Sequence, residues 1–366
     1  MTNNKQQTTS KFQFRPYQRR FRQPLKTSHG EWKVREGIII NLTDETGKVG
    51  LGEIAPIPWF GSETLVEALD FCQELPSEIT ATDIFSIPAK LPACQFGFES
   101  AWWGMENGAS QEGKNSGDIL APPFHKGGWG GENSGDKQVS LPKQDAPVRS
   151  RESNSNPPLT SNQSPLTFSY LLPTGETALQ SWQTAWDEGY STFKWKIGVG
   201  SFEEEIKIFD QLIKMLPKSV KLRLDANGGL TWEEANSWLK ICDRAGIVEF
   251  IEQPLPPEKF QSMLTMCTEY DTAIALDESV ATIDRLEDCY QKGWRGIFVI
   301  KAAIAGSPKR LFQFCQEYNI DPVFSSVFET SIARQMALQL AGKLSHRAVG
   351  FGVNHWFVDD DGIDFR

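Results

Sequence analysis

The sequence predicts an α/β protein: a closed barrel of eight parallel strands and seven helices, preceded by a smaller α+β unit. Three observations lead there. After residue 166, short β-like runs alternate with amphipathic helical stretches at a pitch of about 25 residues. Five successive runs end on an ionisable residue in the same place of each repeat. Between the two folded-looking parts, residues 105–165 carry too few large apolar side chains to build a core.

From the N-terminus, "KFQFRPYQRRF" alternates as a strand does. The first 30 residues hold Lys and Arg but no Asp or Glu, a composition shared with transit peptides, yet they run directly into folded-looking sequence. "REGIIINLTDETGKVGLGEIAP" reads as a strand, a turn at Asp44–Gly47 and a second strand. "ETLVEALDFCQEL" and "FESAWWGM" then show helical spacing. Residues 106–165 hold eight Gly and seven Pro among many Ser, Asn and Gln, and cannot bury enough surface to offset the entropy of ordering. They read as a disordered insertion, and His125 within them has no catalytic role.

The barrel strands begin near 167, 192, 220, 248, 273, 296, 322 and 348. Helical stretches lie between them, such as "ETALQSWQTAWDEG", with Leu179, Trp182 and Trp186 on one face and Gly189 at the end. Strict alternation implies parallel strands, and eight close into a barrel; a doubly wound open sheet is the alternative.

Composition excludes several functions. With 39% hydrophobic residues and a net charge of −10, the chain can build a core but has the wrong sign for nucleic acid. Six scattered cysteines without a C-x-x-C pair suit reduced thiols in a cytoplasmic protein and no zinc site. Four histidines leave little material for His-based chemistry, and no apolar run reaches membrane-spanning length.

The chemistry collects at the strand ends. In "FKWKIG", Lys194 and Lys196 share one face of a strand, an odd arrangement for a core run. The following strands end with Asp225, Glu252, Asp277 and Lys301, at intervals of 24 to 29 residues. In a closed barrel these groups meet at the C-terminal mouth, so the lysines face a cavity lined with carboxylates. Three carboxylates in one pocket need a cation, and oxygen-only ligation selects Mg²⁺ or Mn²⁺. A lysine beside a second lysine and a divalent ion has its ammonium form disfavoured, which makes Lys196 a candidate base for a proton α to a carboxylate. Any one of these acids alone could be a helix N-cap; repetition at the same place in successive units is what carries the reading. Glu278 suits a supporting or capping role behind Asp277. Arg223 and Asn227 share strand parity with Asp225 and are candidates to face the pocket.

These motifs resemble those of the enolase superfamily. "KWK" resembles its K-x-K pair, "LDAN", "IEQP" and "LDES" its three metal-binding strand ends, and "VIK" the strand with the lysine of the opposite face. The set is similar to that of the muconate-lactonising subgroup, which implies a (β/α)7β TIM-like barrel with an α+β N-terminal capping domain. On that reading residues 1–104 form the cap, completed by 350–366; residues 105–165 are the insertion; and 166–349 form the barrel. Within the subgroup, "GEIAPIPWFG" and "FSSVFETS" resemble the o-succinylbenzoate synthase family. That implies a dehydratase acting on a small carboxylate, 2-succinyl-6-hydroxy-2,4-cyclohexadiene-1-carboxylate, in menaquinone or phylloquinone synthesis. By position, Lys196 is implied as the base, Lys301 as the stabiliser on the other face and Lys194 as the tuner of Lys196. Asp225, Glu252 and Asp277 are implied as Mg²⁺ ligands. Ser325 and Ser326 are implied as substrate contacts, partly through backbone N–H groups, and the loop at 23–31 as a lid. At the eighth strand "GFGVNHWF" departs from the family's G-L-D-T, with Gly350 as the candidate contact there. The alternatives are another activity of the subgroup, such as N-acylamino acid racemisation, and a non-catalytic barrel. The six retained acids and lysines argue against the last.

Overall fold

The computed structural model of the chain describes residues 8–27, 30–107, 165–352 and 356–358. The segment read as an insertion, His125 included, lies outside the described residues apart from its first two or three positions and Pro165.

The N-terminal part is an antiparallel sheet of β1 (Thr9–Thr27), β2 (Gly30–Thr43), β3 (Val49–Ile54) and β4 (Glu78–Thr80), in the order β3-β2-β1-β4. The stretch with transit-peptide composition is largely β1. It pairs with β2 as far as Thr27 opposite Gly30, so the expected lid is the end of a long hairpin; positions 28 and 29 lie outside the described residues. The Asp44–Gly47 turn forms because the Asp44 carboxylate accepts the N–H groups of Thr46 and Lys48, and Gly47 takes a φ of +87°.

Three helices follow: α1 (Leu65–Glu74), α2 (Ala81–Phe85) and α3 (Pro92–Glu106). Thr64 and Thr80 start the first two with reciprocal capping boxes. Helix α3 begins six residues before the periodic stretch read from the sequence, and it is buried along most of its length, which blurs an amphipathic signal. It lies on β3 almost backbone to backbone: a Cβ at Gly52 would stand 1.9 Å from the Gly97 carbonyl oxygen.

The C-terminal part holds seven parallel strands in chain order: β5 (Ser169–Leu171), β6 (Thr192–Lys196), β7 (Lys221–Asp225), β8 (Val248–Glu252), β9 (Ala273–Leu276), β10 (Ile297–Ile300) and β11 (Asp321–Phe324). Helices α4 (Ala178–Asp187), α5 (Phe202–Met215), α6 (Trp232–Ala245), α7 (Phe260–Glu269) and α8 (Ile283–Gln291) connect β5 to β10. Helices α9 (Ala302–Ala305) and α10 (Pro308–Tyr318) lead to β11, and α11 (Ser331–Leu344) follows it. The expected eighth strand shrinks to residues 349 and 350. Val349 pairs with Phe168 on one side and Gly350 with Ser325 on the other, which joins the two edges of the sheet.

Period-2 alternation divides each strand between two cores. Phe193, Trp195, Leu222, Leu224 and Ile251 are fully buried beneath the surrounding helices. Phe250, Ala275, Ile297, Val299 and Val323 form a separate small cluster inside the barrel. The charged strand ends stand above this plug.

Candidate active site

Lys194 and Lys196 point into the barrel because their neighbours Phe193, Trp195 and Ile197 fill the outer core. The Lys194 ammonium sits between two carboxylates, 2.8 Å from Asp225 Oδ2 and 2.7 Å from Glu252 Oε1. The Lys301 ammonium meets Asp277 on the far side and stands 3.9 Å from the ring centroid of Phe60, which the capping unit contributes. Lys196, opposite Asp225 in the strand register, makes no ion pair among the described residues.

Burial and charge oppose one another here. Asp225, Glu252 and Asp277 are each only 2% exposed. Burial resists the ionisation of Asp225, but Lys194, Lys196 and Lys301 together outweigh it and hold its pKa below the usual value. Burial and the charge of Asp225 push Glu252 up to about 7, and burial pushes Asp277 up to about 6 against the pull of Lys301. Burial also works against the Lys194 ammonium, yet Asp225 and Glu252 raise its pKa above normal. Carboxylates raised in this way are groups that a further cation would return to the ionised form.

The donor set therefore fits a hard, oxygen-seeking divalent ion: three buried carboxylates from three adjacent strands, with no sulfur or imidazole beside them. Among the described residues, no three acidic, Cys or His side chains are already gathered as a ligand cage. Lys194 and Lys301 supply the counter-charge instead.

The strand ends are held by residues that sequence reasoning passed over. Gln253 follows Glu252 with a φ of +40° and is completely buried. Its Oε1 accepts the N–H groups of Asp277 and Ser279, at 2.9 and 3.2 Å, and its Nε2 donates to Ser279 Oγ. Gln253 thus sets the place of Asp277 and Glu278. Only the "EQP" run hinted at it. Glu53 of β3 is buried at the N-terminus of α11, where it accepts from Thr330 N, Ala333 N and the Tyr17 hydroxyl.

The remaining expected residues divide. Asn227 lies beside the acids, at a φ of +44°, and donates to Glu278 Oε1 at 3.2 Å; Glu278 Oε2 is buried without a partner among the described residues. Arg223 is a correction. It faces the interior but one layer lower, with Nε on Glu249 at 2.7 Å, Nη1 on the Ala348 carbonyl and its guanidinium against Phe250. Strand parity gave the face but not the partners: Arg223 stands level with Lys194 and Phe250 in the strand register, and its guanidinium is taken up by Glu249 and the Ala348 carbonyl. The two serines are also corrected in part. The Ser325 N–H donates to Ile300 O, which continues the β10–β11 ladder, and the Ser326 N–H donates to Gly350 O across the barrel seam, so neither amide is free for substrate. The Ser326 hydroxyl is engaged too, donating to Glu329 and accepting from Phe328 N. Gly350 packs tightly on this seam: a Cβ there would come within 3.0 Å of Ser325 Oγ.

Comparison with known proteins gives two matching families. The family described as "Enolase C-terminal domain-like" matches residues 177–361, and "MenC, N-terminal domain" matches 15–105. The chain is 37% identical over 352 residues to o-succinylbenzoate synthase of Thermosynechococcus vestitus, covering 94% of this chain and 93% of that one. It is 23% identical to o-succinylbenzoate synthase of Bacillus subtilis, covering 87% and 78%. Among solved structures it is similar to an o-succinylbenzoate synthase from Thermosynechococcus elongatus with Mg in its active site, at TM-score 0.76 and 36% identity over 94% of each chain. A dipeptide epimerase from Enterococcus faecalis shares the fold at TM-score 0.72 and 18% identity, covering 96% and 92%.

Proposed function

We propose roles for the individual residues from the premise that this chain belongs to the o-succinylbenzoate synthase family of the enolase superfamily. The activity is the dehydration of 2-succinyl-6-hydroxy-2,4-cyclohexadiene-1-carboxylate to o-succinylbenzoate, a carbon–oxygen lyase reaction. The observation that carries the assignment of roles is the arrangement of Asp225 and Glu252, which end β7 and β8, and Asp277, which follows β9, between Lys194 of β6 and Lys301, which follows β10.

Lys196 takes the proton from the ring carbon α to the carboxylate. The C–O bond to the ring hydroxyl then breaks, Lys196 returns the proton to the departing oxygen, and water leaves as the ring becomes aromatic. Lys301 stands on the opposite flank, where its ammonium offsets negative charge that develops on the substrate carboxylate. Lys194, fixed between Asp225 and Glu252, places a positive charge near Lys196 and acts as its electrostatic neighbour. Asp225, Glu252 and Asp277 would hold Mg²⁺, with Mn²⁺ as the alternative of like chemistry; when bound, the ion supplies Lewis-acid charge worth several kcal/mol at the substrate carboxylate. Glu278 and Asn227 support this acid set from behind. The Ser325 hydroxyl is the remaining candidate for substrate contact on the seam; the Gly350 N–H donates to Phe324 O and its carbonyl accepts from Ser326, so the expected contact there is left with the glycine Cα alone.

The same reading assigns residues 1–104 with 350–366 to the cap, 105–165 to an insertion and 166–349 to the barrel. Stacking of Phe357 on Phe21, with ring centroids 4.7 Å apart, supports the first assignment. No helix among the described residues is long and apolar enough to cross a membrane.

The test is loss of cyclohexadiene absorbance on mixing purified protein with the hydroxy-cyclohexadiene substrate, with Mg²⁺ and then with EDTA. Fast conversion that EDTA abolishes is expected. Conversion that EDTA leaves untouched would overturn the metal assignment, and no conversion by a protein that binds Mg²⁺ would overturn the dehydratase assignment.

A further inference from the structure

We propose that Glu205 is a positioning residue for Lys196, acting through the backbone loop that continues β6. The proposal rests on Lys196 being the base. Of the three lysines at the mouth, Lys194 and Lys301 are anchored at their ammonium groups by carboxylates. Lys196 has no such anchor among the described residues, so the chain on either side of its Cα must fix it.

On the strand side, Lys196 lies opposite Asp225, and the next N–H, of Ile197, donates to the Asp225 carbonyl at 2.9 Å. On the loop side, Glu205 reaches back from the first turns of α5 and is only 5% exposed. Its carboxylate accepts three consecutive backbone N–H groups: Gly198 at 2.7 Å on Oε2, and Val199 and Gly200 at 2.8 and 2.9 Å on Oε1. Successive amides closing on one anion make a stiff, charge-assisted clamp. The opposite side of the loop is confined as well. Gly198 has a φ of +73°, and a Cβ there would stand 3.1 Å from Leu230 of the loop after β7. The segment that begins two residues after Lys196 is thus held between an anion of the following helix and the neighbouring strand-end loop.

A glutamine has one acceptor oxygen for three donors and turns an NH₂ group toward at least one N–H. With the clamp loosened, the end of β6 loses its fixed place. A misplacement of the reacting amine by about 1 Å is worth on the order of a hundredfold in rate. The test is steady-state kinetics of Glu205→Gln in the full chain, with Mg²⁺ affinity by titration calorimetry. A fall in kcat of about 10- to 100-fold is expected, with KM within about twofold and Mg²⁺ affinity unchanged. Ser201→Ala is the control: the Ser201 hydroxyl caps the same helix through Glu204, so its loss weakens α5 while leaving the Glu205 contacts in place. That variant should melt earlier with kcat unchanged. Gly198→Ala disturbs the same loop from its other side and should reproduce the selective loss of kcat if the glutamine variant does not fold. Lys196→Ala, run alongside, separates the two assumptions. Activity in that variant removes the base assignment itself. An inactive Lys196→Ala beside a Glu205→Gln with wild-type kcat, or a loss no larger than that of Ser201→Ala, overturns the positioning role.

Discussion

The carboxylate of Glu53, on the capping sheet, accepts the backbone N–H of Thr330 at 2.9 Å across 277 residues of chain. The same buried group also takes the N–H of Ala333 at 3.1 Å and the Tyr17 hydroxyl, so one anion closes the open end of α11 and ties it to β1. The segment it fixes directly follows the seam at Ser325 and Ser326. Glu53→Gln leaves buried donors facing an NH₂ group, and a loss of about 2–4 kcal/mol in unfolding free energy is expected. Urea denaturation of the two proteins measures it; a change below about 0.5 kcal/mol would refute the anchoring role.

Lys196→Ala should lower turnover by at least about 10²–10⁴-fold, the contribution of a general base. Circular dichroism should match wild type, because Lys196 bears no ion pair among the described residues, and Mg²⁺ should still bind, because the three acids and the Lys194 and Lys301 pairs that hold them remain. Near-normal turnover would overturn the assigned base.

Glu99 gives the cap–barrel contact a pH dependence. It is buried at the start of α10, accepts from Ser307 Oγ at 2.7 Å, and burial pushes its pKa up to about 7 from an ordinary 4.5. The folded protein therefore holds this proton more tightly than the unfolded chain does. The contribution to stability is fully present below about pH 4.5 and is lost as pH rises through about 7. Relative to Glu99→Gln, wild type should lose on the order of 3 kcal/mol between those limits. Melting curves of both proteins from pH 5 to 8 test this, and a parallel pair of pH profiles would contradict it.

Gly52→Ala should separate α3 from β3. The added Cβ would lie 1.9 Å from a backbone oxygen, which no rotamer change relieves. An overpacking cost of about 1–3 kcal/mol or more is expected, read as a lowered melting temperature. An unchanged midpoint would show that the helix moves away freely.

Replacing residues 108–164 by a short Gly/Ser linker should leave kcat intact. Helix α3 ends at Glu106 and β5 starts at Ser169, so the cut spares both elements. A large loss of kcat would give the segment a role that its composition does not suggest.

The acids and lysines were legible because two periods coincide. Strand alternation puts Lys194 and Lys196 on one face, and the βα repeat brings each strand end to the same rim. Arg223 marks the limit of that reasoning, since parity assigns a face but not the partners met there, Glu249 and the Ala348 carbonyl. The amides of Ser325 and Ser326 mark another. Whether they are free depends on which segments pair with the end of β11: β10 takes the Ser325 amide, and Gly350, which closes the seam, takes that of Ser326. Gln253, Glu53 and Glu205 look like ordinary polar residues in a linear reading. Each gains its meaning from backbone N–H groups gathered in space.

By itself, then, the sequence determined the strand–helix alternation, the composition of the acid–lysine set and its place at the strand ends. These follow from local periodicity and from side-chain chemistry, which are properties of short stretches. The tertiary structure alone decided the partners of Arg223, the closure of the barrel through two residues, and which lysines pair with which carboxylates. It also decided the anchoring of the cap by Glu53 and Glu99. Those outcomes depend on where backbone donors and buried charges meet across hundreds of residues, and desolvation selects the pairings only once the chain has closed around them.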